Sequence, residues 1–261
     1  MTWTPFPHPD PAYVHTPASL LAAWPQLHLG DTEAWPADAR LVQAWIAFHA
    51  GQFERAARLG LDVGVEGYAV AHKATCIHAL FLETSEKTRC AVYEEVAERC
   101  ERQQLERPAN PAGFYWHGYA LGRYALGISV VKALAQGLGA KVRHSLDAAL
   151  TLAPQHADAH IALGAYHAEV IDKVGAMIGG LTYRVKKDAC YGHFETALGL
   201  DPASAVGRVA YARALLMLDG KRQLARVLEL YRQAAGGAAR DATERLVVEE
   251  ARLELNELEK Q

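Results

Sequence analysis

Paired cysteines, long apolar runs and an excess of charge of either sign are all missing from this chain of 261 residues. Cys76, Cys90, Cys100 and Cys190 form no C-x-x-C pair and show no metal-ligand spacing, so neither a disulfide framework nor a cysteine-held zinc site is expected. No stretch of about 18 uninterrupted apolar residues exists, which argues against a transmembrane segment. The first residues, Met1 to Pro11, have neither a basic cluster nor the apolar core of a secretory signal, and a cytoplasmic protein is predicted. A formal charge of −3 with interspersed signs gives no electrostatic footprint for nucleic acid. Catalytic signatures are also missing: there is no G-x-S-x-G elbow, no H-E-x-x-H and no phosphate-binding G-x-x-x-x-G-K-[ST] loop. Gly137-Leu-Gly139-Ala-Lys141 is too short and wrongly placed to cradle a phosphate. No enzymatic activity and no cofactor are predicted.

What the chain does have is a sentence written twice between Gly113 and Pro202. Trp116-His-Gly-Tyr-Ala-Leu121-Gly122 is answered by Ala162-Leu163-Gly164, and Ala149-Leu150-Thr-Leu152-Ala-Pro154 by Ala197-Leu198-Gly-Leu200-Asp-Pro202. Glycine inside a helix costs about 0.5 to 1 kcal/mol relative to alanine, so Gly122 and Gly164 are read as points where a paired helix comes close. Pro154 and Pro202 stop the second helix of each pair. The predicted fold is all-α: a solenoid of antiparallel helix pairs, each burying its apolar face against the next.

In chain order, residues 1–16 are predicted to be an extended, mobile, Pro-rich arm, and 17–261 one repeat domain. A short helix spans about Ser19 to Gln26. Pro36 opens a helix carrying Leu41, Val42, Trp45 and Ile46, which turns at Gly51-Gln-Phe53-Glu-Arg-Ala56 into a partner ending near Val63. A second pair covers Tyr68 to Leu82 and Glu86 to Glu106, with Thr84 or Ser85 as cap, and Asn110-Pro111 starts the next helix. The central pairs fill 110–202. A fifth pair runs from Ala203 to Leu218 and from Arg222 to Ala235. Asp241-Ala-Thr-Glu244 resembles a capping box that opens a closing helix within 240–259.

The central pairs hold more residues than two tightly joined helices need. The surplus, Gly127 to Gly139 and Val174 to Tyr183, is apolar and glycine-rich, and the charges near it are basic: Arg123, Lys132, Lys141 and Arg143 in one copy, Lys173, Arg184, Lys186 and Lys187 in the other. These connectors are expected to fold inward over one cavity whose mouth favours anions; ordinary buried turns are the other reading. Trp45, Tyr115, Tyr119 and Tyr166, with Arg123, Lys141, Glu169, Tyr183 and Arg184, are the candidate groove residues. A stripe of aromatics at helical spacing is equally what a packed core requires. His160, His167 and His193 fall within one repeat and form the weaker alternative, a metal site.

The quoted motifs resemble the tetratricopeptide-like family that includes the regulators of microtubule dynamics and the T-component proteins of TRAP transporters. The likeness covers about residues 110–220. It implies a non-enzymatic helical stack that holds a protein segment, or an acidic apolar ligand such as a lipid, in an inner groove. The competing expectation is a metal-binding protein or enzyme built on the His-rich fourth repeat.

Overall fold

The computed structural model describes residues 2–260, and every regular element among them is helical. The α-helices are α1 (Pro17–Leu27), α2 (Ala39–His49), α3 (Phe53–Val63), α4 (Tyr68–Phe81), α5 (Glu86–Glu106), α6 (Pro111–Leu126), α7 (Val130–Ala135) and α8 (Leu138–Leu152). They continue as α9 (Ala157–Val174), α10 (Ala176–Tyr183), α11 (Lys187–Leu200), α12 (Ala205–Asp219), α13 (Leu224–Ala235) and α14 (Ala242–Leu258).

The starts follow from capping chemistry, in which a side chain accepts from a backbone N–H that the first turn leaves unsatisfied. Thr16 and Ser19 form a reciprocal box at α1, while Ser85, Asn110 and Ser204 cap α5, α6 and α12. Asp38, rather than Pro36, sets the start of α2, because its carboxylate accepts from Arg40 N–H. His156 caps α9 through its ring, with Nδ1 3.2 Å from Ala159 N.

Packing divides the chain into two compact units. The first comprises residues up to His28, Thr32–Pro154 and Arg240–Thr243; the second comprises Leu29–Asp31, Gln155–Ala239 and the chain from Glu244 onward. In the first unit α2 to α6 each pack on the next in sequence and α6 on α8, while α4 also touches α2 and α6. In the second, α9 packs on α11 and α12, and α12 on α13. Trp45, Phe48 and Phe53 meet edge to face in the core of the first unit, with ring centroids 5.5 and 5.7 Å apart. Phe194 lies stacked on Tyr211 in the second, at 5.0 Å.

The repeat register differs from the sequence reading by one turn. A Cβ on Gly122 would meet nothing within 4 Å, whereas one on Gly118 would lie 2.8 Å from Leu146 Cγ. Gly118 is therefore the counterpart of Gly164, where a Cβ would lie 2.7 Å from Phe194 Cε2. Both glycines stand at the same distance from their helix caps, Asn110 and His156.

The connectors also differ from expectation. They are neither folded inward nor buried turns: each is a short helix, α7 and α10, whose large apolar side chains face outward. Ser129 caps α7, and Gly175, at φ 82°, supplies the left-handed step before α10. The N-terminal arm is docked, and Pro11–Tyr13 within it forms a single 3-10 turn capped by Asp10. Thr4 N–H donates to His78 Nε2 at 2.8 Å, and Phe6 fills the space left by the absent side chain of Gly51.

Candidate functional site

The first helices of the pairs in the first unit, α2, α4 and α6, bring cations onto aromatic faces. Lys73 on α4 places Nζ 5.7 Å from the centroid of Trp45 and 5.3 Å from that of Phe48, both on α2. One turn separates Tyr119 and Arg123 on α6, so the guanidinium carbon lies over the phenol ring at 5.3 Å. Lys73, Tyr119 and Arg123 are all half-buried. A partly desolvated cation over a ring is attracted by the ring's quadrupole and so oriented.

Around this pair the interior is polar and tightly closed. The Tyr93 hydroxyl on α5 is buried with no hydrogen-bond partner among the described residues, and burial pushes its acidity down. Cys100 Sγ approaches His72 Nδ1 at 3.3 Å, and burial holds the His72 ring well below its ordinary pKa. Both amide atoms of Gln103 are also buried without a partner among the described residues. The sequence spaces Tyr93 and Cys100 with Val92 and Val96 on one face of α5, but His72 on α4 and Gln103 on α5 are not legible there as polar core. The signal for Gln103 is the apolar spacing of Val92, Val96 and Cys100, which places Arg99 and Gln103 on the covered side.

Of the sequence-predicted groove residues, Trp45, Tyr115 and Tyr166 are buried and belong to the core. Tyr115 lies 4.8 Å from Trp116, which in turn is 5.2 Å from Tyr119. Tyr119 and Arg123 come together, and Lys141 stands exposed in the first turn of α8. In the second unit Glu169 is half-exposed on α9, Tyr183 ends α10 half-buried, and Arg184 follows it exposed. Lys73 was missed: a single lysine in the run from Tyr68 to Phe81 carries no motif, and only the α2 to α4 packing gives it rings to cover.

The histidines of the fourth repeat do meet, but as a hydrogen-bonded set. His160 Nδ1 and His193 Nδ1 are 3.0 Å apart, and His167 Nδ1 accepts from Lys186 N–H at 2.9 Å. Among the described residues no group of three or more His, Cys, Asp or Glu could hold a metal ion. The Nδ1 atoms are engaged in contacts that tie α9 to α11 and to the residue before it.

A more deeply buried relay lies in the first unit. His49 Nδ1 is 2.8 Å from Asp241 Oδ2, and its Nε2 is 3.3 Å from His28 Nε2. His28 is stacked on Trp24 at 3.8 Å and set edge to face against Trp45 at 4.6 Å. Desolvation lowers the His49 pKa to about 4, against the raising effect of Asp241. The relay is buried and joins positions of the chain that lie far apart in sequence. A separate cavity of about 460 Å³ lies where Trp3, Phe6 and Pro9 of the arm meet Gly51, Phe53 and Arg55.

A crystal structure of a thermophilic tetratricopeptide-repeat protein from Thermus thermophilus superposes on the chain with a TM-score of 0.58, covering 82% of this chain and 97% of that one at 17% identity. The fold is tetratricopeptide-like. No protein-family model and no curated protein matches the sequence. Among the described residues, no helix of this tetratricopeptide-like chain is long and apolar enough to cross a membrane.

Proposed function

We propose that the protein is a non-catalytic, cytoplasmic binding module that holds an acidic protein segment against the first helices of its N-terminal unit. The observation that carries this reading is the pair of aromatic-backed cations, Lys73 over Trp45 and Phe48, and Arg123 over Tyr119. A tetratricopeptide-like fold supports a partner-binding role in general terms. The docked N-terminal arm supports it locally, because it is a segment held by a backbone hydrogen bond to His78 and by aromatic contact. The likeness of Trp116 to Gly122 and of Ala162 to Gly164 to the regulators of microtubule dynamics and the TRAP T-component proteins belongs to the same proposal.

Selection from an unbiased displayed-peptide library tests this directly. Peptides rich in Asp and Glu should be enriched on the wild type and lost on a Lys73→Glu, Arg123→Glu double variant of unchanged melting temperature. Enrichment without acidic bias, or equal retention by the variant, would overturn the reading.

A further inference from the structure

The α10 helix presents its apolar side chains to solvent. Met177, Ile178 and Leu181 are 79%, 58% and 82% exposed. At 100° per residue these three fall on one arc, and Gly179 falls on the opposite side. A Cβ on Gly179 would lie 2.8 Å from Val185 Cγ2 and 3.4 Å from Val170 Cγ1, so the glycine lets the helix lie flat on its own unit while the large side chains point away. Exposed apolar surface of this kind marks a contact site, and what covers it is decided by the charge around it.

The charge along this segment is basic. From Lys173 to Lys187 there is no acidic residue. Lys173 is 3.5 Å from Asp172, and Lys187 is paired with Asp219, but Arg184 and Lys186 are exposed and have no ion-pair partner among the described residues. Arg184 sits at φ 54°, a left-handed backbone that glycine would adopt without strain. This step ends α10 and turns Val185 back under Gly179, leaving Arg184 exposed at the end of the helix.

We infer that α10 is a membrane-surface wedge: Met177, Ile178 and Leu181 enter the acyl boundary of an anionic bilayer, and Arg184 and Lys186 meet its phosphate headgroups. An amphipathic segment with a basic rim binds through apolar burial plus attraction to anionic lipid, and three side chains give marginal, reversible attachment. The α7 connector fits less well, since Lys132 lies against the Tyr124 ring at 5.6 Å and is already engaged. The wedge belongs to the second unit and the Lys73 and Arg123 pair to the first, so the two readings stand or fall separately.

Flotation of the full chain with phosphatidylcholine vesicles, with and without phosphatidylserine, tests the inference at low and physiological salt. The wild type is expected to float with anionic vesicles only, more strongly at low salt. Leu181→Asp should lower the bound fraction by roughly tenfold or more, and Arg184→Gly, which removes the charge while easing the backbone, by a smaller factor. Both positions are exposed, and unchanged melting temperatures establish that the variants fold. Equal binding to neutral vesicles, equal binding by Leu181→Asp, or no flotation of the wild type would overturn it. So would sedimentation showing a dimer that Leu181→Asp dissolves while vesicles are ignored, since a second copy would then cover the face.

Discussion

The side chain that Gly164 lacks would stand 2.7 Å from the ring of Phe194, and that ring cannot retreat because it is fully buried against Tyr211. Gly164→Ala therefore trades a favourable helix propensity for overpacking and should destabilise by about 1 to 3 kcal/mol. Gly122→Ala has open space and should stabilise by about 0.5 to 1 kcal/mol. Denaturant unfolding of the two variants checks both signs; equal shifts would show that Gly164 marks no close crossing.

His49 is held neutral by burial, with a pKa near 4 in the fold against about 6.5 in the unfolded chain. Between these values the unfolded state binds more protons, so stability rises with pH. This contribution is complete above about pH 6.5 and is lost as pH falls toward 4, to an extent on the order of 3 kcal/mol. His72, His78 and His117 are lowered by burial too and act in the same direction. Melting temperature followed from pH 7.5 downward should begin to drop near pH 6.5 (about one unit either way), and the slope should flatten in His49→Gln.

Gln103 on α5 buries both amide atoms without a partner among the described residues. An unsatisfied buried polar group costs about 1 to 3 kcal/mol, and methionine has nearly the same shape. Gln103→Met should raise the unfolding free energy by about 1 kcal/mol, measured by urea titration; a fall would mean that the amide is satisfied in solution.

The helix order was legible because capping residues, glycine and proline act locally: Ser85, Asn110 and Pro111 stand where the sequence puts them. The register of Gly118 against Leu146 was not, since both Gly118 and Gly122 lie in apolar helix and only the partner helix distinguishes them. Tyr119 and Arg123 could be paired from their spacing, whereas Lys73 acquires its rings through packing between helices. The same limit hid Asp241. It reads as a helix cap, yet it meets His49 across 192 positions of chain.

The binding account is tested most directly by a charge-swap titration. An acidic peptide selected on the wild type should lose about tenfold or more affinity for the Lys73→Glu, Arg123→Glu variant, and the same peptide with its acids replaced by lysine should bind the variant better than the wild type. Recovery by the reversed peptide is the predicted result; unchanged affinity of the acidic peptide for the variant would contradict the account.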